Sequence, residues 1–198
     1  MKIIEILLDE ENSENNGIEA VSLVSAGAIE SDFIALNSQE IKLAKVNDEK
    51  QILMGAALIP NKPIFRKGED EDYYVYFSNE TVRKASELFF KNGNQNNATL
   101  EHNLAINDLT VVESWIVENT EKDKSAIYGL EVPVGTWMIS MKVNNSEVWN
   151  DFVKTGKVKG FSIEGYFADR ATVQASKDES ETKLEEIKEL LKNSNNEK

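Results

Sequence analysis

The chain has 198 residues, with 35 acidic and 22 basic side chains, a formal net charge of −13, one histidine and no cysteine. That length is enough for one domain with a real core. The charge argues against nucleic acid or an anionic membrane surface as the partner. Without cysteine there are no disulfides and no thiol chemistry, which suits an intracellular protein. A single histidine leaves no structural zinc site to expect, and neither a metal nor a cofactor is called for.

No apolar run nears the roughly 18 residues needed to span a membrane. Met1 to Glu5 leads into acids rather than a cleavage site, so no secretory leader is expected. Residues 2–8 have the pattern of a strand, and 9–17 of an acidic, Asn-rich loop. Residues 17–24 fit a short helix or a strand equally well. After the small residues 26–30, segments 33–36 and 41–46 are strand-like. The apolar run 51–60 reads as a buried strand with a bulge or a close contact at Gly55. A turn at 61–63 and a charged hairpin tip at 67–72 lead into the aromatic strand 73–77.

Ser78 is placed to cap a helix carrying Val82, Ala85, Leu88 and Phe89 on one side, and Gly93 ends it. Residues 99–102 end a short strand and 110–117 form another, with Asn107-Asp108 as the turn between them. Residues 118–125 read as a charged loop. Strands are expected at 128–132 and 136–143, bent apart by Pro133 and Gly135. Ser146 heads a second helix with Val148, Trp149, Phe152 and Val153 as its apolar stripe. A last strand covers 158–167. A mostly β (α+β) body with helices inserted between strands argues for a compact β-barrel rather than a doubly wound sheet. The expected division is a domain at 1–172 and a charged tail at 173–198. In that tail Leu184, Ile187, Leu190 and Leu191 share one face of an amphipathic helix.

Chemistry concentrates at Gly160-Phe161-Ser162-Ile163-Glu164-Gly165 and at His102, the sole imidazole. In a strand, side chains alternate faces, so Phe161 and Ile163 can enter a core while Ser162 and Glu164 face away from it. A hydroxyl on a rigid element, an imidazole to take its proton and an acid to orient the imidazole are the parts of a serine hydrolase. A hairpin about Asn107-Asp108 would bring Glu113 across from His102, although a one-residue slip would reverse its face. Each feature also has a bland reading: a satisfied structural histidine, a strand serine, and solvated carboxylates. Trp115, Trp137 and Trp149 read as core, and the acidic loops lack the order of a calcium-binding loop.

Segments 92–102, 112–118, 133–138 and 158–165, with 17–24 and 57–64 upstream, closely resemble the XkdF-like phage serine proteases. The likeness runs in order through most of 17–167, and it departs at Gly27, where the family pattern has proline. That family is similar to the prohead (capsid maturation) proteases of tailed phages, and through them to the herpesvirus protease assemblin. The resemblance implies an assemblin-like β-barrel with Ser and His on neighbouring strands. It also implies a location inside the procapsid in the bacterial cytoplasm, with scaffold and capsid proteins as substrates and room for a homodimer. Carried over residue by residue, Ser162 matches the nucleophile and His102 the general base. Assemblin's second histidine has no counterpart here, so the third member would be an acid, Glu113 first and Glu164 second, or the site is a dyad. Two other readings stand beside it. One is an inactive barrel that assists capsid assembly through its acidic helical tail; the other is a small-molecule-binding barrel.

Overall fold

The computed structural model describes residues 2–8, 17–25, 44–47, 50–68 and 71–169, and over these the chain is mostly β. Strands β1 (Lys2–Leu7), β2 (Gly17–Val24), β3 (Ala44–Asn47), β4 (Ile52–Leu58), β5 (Ile64–Arg66) and β6 (Tyr73–Phe77) lead to helix α1 (Asn79–Lys91). Three strands follow it: β7 (Ala98–Leu100), β8 (Leu104–Ile106) and β9 (Leu109–Ile116). Then come the short helix α2 (Lys124–Ile127), strand β10 (Trp137–Val143) and a single turn α3 (Ser146–Val148), which runs on as a π-helical segment over Trp149–Val153. Strands β11 (Gly160–Tyr166) and β12 (Ala168–Asp169) close the described order.

The strands form three four-stranded sheets, ordered β12-β1-β6-β5, β3-β4-β10-β9 and β11-β2-β7-β8. The expected barrel is therefore corrected: no closed barrel is found among the described residues. The ladder breaks between β8 and β9, because β8 pairs back onto β7 while β9 pairs with β10. One core joins all three sheets. Phe77, Val21, Leu23, Phe161, Leu53, Trp137 and Ile139 meet there around Val82, Ala85 and Phe89 of α1. A second cluster, Met54, Ala56, Val117, Leu130 and Met138, lies on the other side of the β4–β10 pair. Burial on both faces is why β4 reads as an unbroken apolar run rather than an alternating one.

Local chemistry explains most of the elements. Ser78 accepts the Thr81 N–H and so satisfies one of the orphan donors at the start of α1. Segment 17–24, ambiguous in sequence, is a strand because it is sandwiched between β7 and β11. Other expectations change. The irregularity in β4 falls at Ala57, between the pairs Met138–Ala56 and Trp137–Leu58, and not at Gly55. Residues 128–132 form no strand. Asp123 caps α2 just before them, and Gly129 takes a left-handed conformation (φ 71°) that turns the chain and sends Leu130 into the second cluster. The cap before α3 is Asn145, whose side chain accepts the Val148 N–H, and not Ser146. The segments expected at 26–36 and the tail 173–198 lie outside the described residues.

Candidate active site

Strand β11 is split by face as its alternation requires. Phe161 is buried in the common core and Ile163 packs against it. Ser162 and Glu164 occupy the other face. In register, Ser162 stands opposite Ser22 of β2, and Ser22 stands opposite Thr99 of β7. Three hydroxyl residues on three adjacent strands thus form one row across the sheet. The register shifts between Glu164 and Gly165, where a Cβ on Gly165 would fall 2.0 Å from the Gly17 carbonyl oxygen. The close approach expected beside a flanking glycine is, at this end of β11, that of one strand backbone to the next.

His102 enters from the β7–β8 hairpin. Leu100 pairs with Leu104, the Asn103 N–H donates to the Leu100 carbonyl at 3.1 Å, and both Glu101 (φ 51°) and His102 (φ 58°) are left-handed. Two consecutive left-handed residues are the signature of the tight hairpin turn whose twist suits its flanking strands. The turn brings the imidazole onto the hydroxyl face, where Nδ1 lies 3.1 Å from Glu164 Oε1. The same carboxylate oxygen accepts a hydrogen bond from the Thr99 hydroxyl. The backbone N–H of His102 donates to Ser22 Oγ at 3.0 Å. The imidazole and the Glu164 carboxylate remain 42% and 30% exposed, so they are within reach of a substrate. A carboxylate on Nδ1 orients the ring and leaves Nε2 as its free acceptor, the tautomer a general base requires.

Ser162 shares this sheet and this face but is only 4% exposed. Among the described residues its hydroxyl has no hydrogen bond to the His102 ring. Strand β2 lies between β11 and β7, so the serine and histidine strands are not neighbours, contrary to what the resemblance implied. Glu164 spans that gap, being on the serine's strand and bonded to the histidine.

Glu113 is placed elsewhere. It sits on β9 in another sheet, opposite Ser140, and its carboxylate accepts from Lys124 Nζ and Ser140 Oγ, each at 2.5 Å. The hydrogen bond from Lys124 and then that from Ser140 hold its pKa below the ordinary carboxylate value. The hairpin that would have carried Glu113 to His102 does not form: the chain reverses at 101–103, β8 pairs back onto β7, and β9 pairs with β10 instead. The polar triplet Glu101-His102-Asn103 between two apolar segments was the sequence signal for that earlier turn. Ser22 and Thr99 were also missed. The signal for Ser22 was its place as the one hydroxyl in the apolar run Ala20-Val21-Ser22-Leu23-Val24.

A groove of about 460 Å³ runs between β9 and the Arg83, Ser86, Glu87 and Phe90 side of α1, and Ser162, His102 and Glu164 do not line it.

A family model described as "Putative phage serine protease XkdF" matches residues 40–171. The matched span holds Ser162, His102, Glu164 and Thr99, and it ends just beyond the described part of the chain. No curated protein and no solved structure matches the chain.

Proposed function

The chain belongs to the XkdF family of phage serine proteases, and from that premise we propose that it is a serine endopeptidase with Ser162 as nucleophile, His102 as general base and Glu164 as the acid that orients the base. The observation that carries this reading is the contact of Glu164 with Nδ1 of the sole histidine, two residues along the strand from Ser162 and on the same face. With Nδ1 committed to the carboxylate, Nε2 accepts the serine proton as the hydroxyl attacks the scissile carbonyl. The protonated ring then returns that proton to the leaving amine, and water repeats the cycle on the acyl-enzyme. The side-chain movement needed to bring Nε2 to Ser162 fits sites whose catalytic hydrogen bonds tighten only around substrate.

The reading extends to the setting. The substrates are scaffold and capsid proteins, the place is the procapsid assembling in the bacterial host, and the architecture is a relative of the assemblin type. Family membership and the residues quoted for the resemblance support this.

The test is coexpression with the scaffold and major capsid proteins of the same phage, followed by mass spectrometry of their termini. Wild type yields cleaved products, and Ser162→Ala and His102→Ala yield none while keeping the wild-type melting profile. Equal processing by wild type and Ser162→Ala would refute the assignment. The near-complete burial of Ser162 favours a second reading, an inactive fold that assists assembly through its acidic tail. In that case heads form normally with Ser162→Ala and fail when residues 177–198 are deleted.

A further inference from the structure

We propose that Thr99 and Ser22 are positioning residues for this site, Thr99 acting on the carboxylate and Ser22 on the turn that carries the base. The inference rests on the peptidase reading above and extends it to two residues to which the resemblance gave no role.

Glu164 Oε1 has two partners, the His102 ring and the Thr99 hydroxyl. A carboxylate on a flexible two-carbon stem has several rotamers open to it, and contact with a half-exposed imidazole alone selects weakly among them. The Thr99 hydroxyl stands across the sheet on β7. By donating to the same oxygen it selects the rotamer in which that oxygen points at Nδ1. Threonine suits the task because its branched Cβ leaves few χ1 states in a strand.

Ser22 acts one layer below. It is fully buried, and a buried hydroxyl is costly unless its bonding capacity is used. Its oxygen accepts the His102 N–H at 3.0 Å, and the hydroxyl is directed at the Thr99 carbonyl at the longer distance of 3.5 Å. The turn it supports holds two adjacent non-glycine residues in the left-handed region, a conformation that persists only where surrounding contacts determine it. Other bonds brace Glu101. Its N–H donates to the Leu23 carbonyl, and its carboxylate accepts the Ser25 N–H. The Ser22 bond is the one made to the amide of His102 itself. The register supplies the reason: Ser22 is the middle member of the row Ser162, Ser22, Thr99, so one buried side chain reaches the strand on which the base is mounted while standing beside the nucleophile.

The sole histidine makes the test direct, since its ring nitrogens give the only imidazole signals in the protein. Long-range proton–nitrogen spectra of the neutral ring report which nitrogen carries the proton. The proton is expected on Nδ1 in wild type and in Thr99→Ser, and distributed towards Nε2 in Thr99→Val. In parallel, Ser162 is labelled with a fluorophosphonate. Thr99→Val labels about tenfold more slowly or worse, the scale of one hydrogen bond to a charged group, Ser22→Ala labels roughly 2- to 10-fold more slowly, the scale of a neutral one, and Thr99→Ser stays near wild type. A purely structural role gives the opposite order, because Val keeps the shape of Thr and Ser does not.

With wild type labelled, an equally fast Thr99→Val with its tautomer unchanged overturns the role of Thr99, an equally fast Ser22→Ala overturns that of Ser22, and either result leaves the peptidase reading standing. If wild type is not labelled at Ser162 even when assembled in procapsids, the peptidase reading falls and the catalytic role of both hydroxyls falls with it.

Discussion

Glu164 and Glu113 are both carboxylates on strands, and only their neighbours tell them apart. Glu164 faces the imidazole. Glu113 is neutralised by a lysine and bonded to a buried serine. Replacing each with glutamine keeps the shape and removes the charge. Glu164→Gln is expected to slow the reaction of Ser162 with a fluorophosphonate strongly, by up to about 10⁴-fold, the effect of neutralising the acid that orients the histidine of such a site. Glu113→Gln is expected to leave the rate near wild type. The reverse order would restore Glu113 as the third member. At this scale residue type singled out the sole histidine, a strand serine and a short list of acids as candidates, and the family resemblance, not residue type, gave Ser162 and His102 their proposed roles. The choice between the acids was not, because it depends on which turn closes, and a slip of a few residues moves a side chain from one sheet to another. Ser22 stood out as the one hydroxyl in an apolar run, but neither it nor Thr99 could be given a role, since a hydroxyl in a strand acquires meaning only from the strands beside it.

The elements were legible where one local rule decided them. Ser78 and the helix behind it, the aromatic strand β6 and the serine strand β11 lie where capping, propensity and alternation place them. The region 118–132 was not, because it is fastened by side chains rather than by a ladder. Asp123 caps α2 and accepts from the Trp115 indole and the Ser125 hydroxyl, while Lys124 reaches back to Glu113 on β9. Burial alone would raise the Asp123 pKa, but the Ser125 and Trp115 hydrogen bonds outweigh it, and both Asp123 and Glu113 are lowered. A carboxylate with a lowered folded-state pKa contributes stability above its unfolded value, about 4.3 for a glutamate, and loses it as the pH falls through the folded value. Glu113→Gln should therefore melt below wild type near neutrality, with the gap closing as the pH falls below about 4. Because Lys124 and Glu113 are 37% and 47% exposed, the difference should stay within about 1 kcal/mol. Thermal melts of both proteins across that range check it, and a gap that widens in acid would exclude the ion pair as its source.

At the scale of the molecule, three sheets that share no backbone ladder among the described residues are held by one set of side chains. Phe89 of α1 is fully buried, meets Trp137 edge-to-face at 5.5 Å and lies in the cluster that also contains Phe77 and Phe161. Behind Phe161, Phe167 stacks edge-on against Phe77 and ties the exit of the serine strand to the sheet of β1 and β6. The apolar content and its periodicity foretold a core of this kind. They did not foretell three open sheets in place of a barrel, since closure needs a partner for every edge strand, and among the described residues β8 pairs only with β7 and β9 only with β10. If the core is what unites the sheets, weakening it should loosen all of them together. Phe89→Ala removes a ring that cannot be replaced by local collapse and should cost about 3–5 kcal/mol. Denaturation followed by tryptophan fluorescence, which reports Trp137 and Trp149 inside the core and Trp115 beside the second cluster, and by far-ultraviolet circular dichroism should still show a single coincident transition at lower denaturant. Two separated transitions would mean that the serine–histidine sheet folds apart from the rest. Its geometry would then be set within β11, β2, β7 and β8 alone, and Phe89→Ala would leave the reactivity of Ser162 unchanged in the residual folded state.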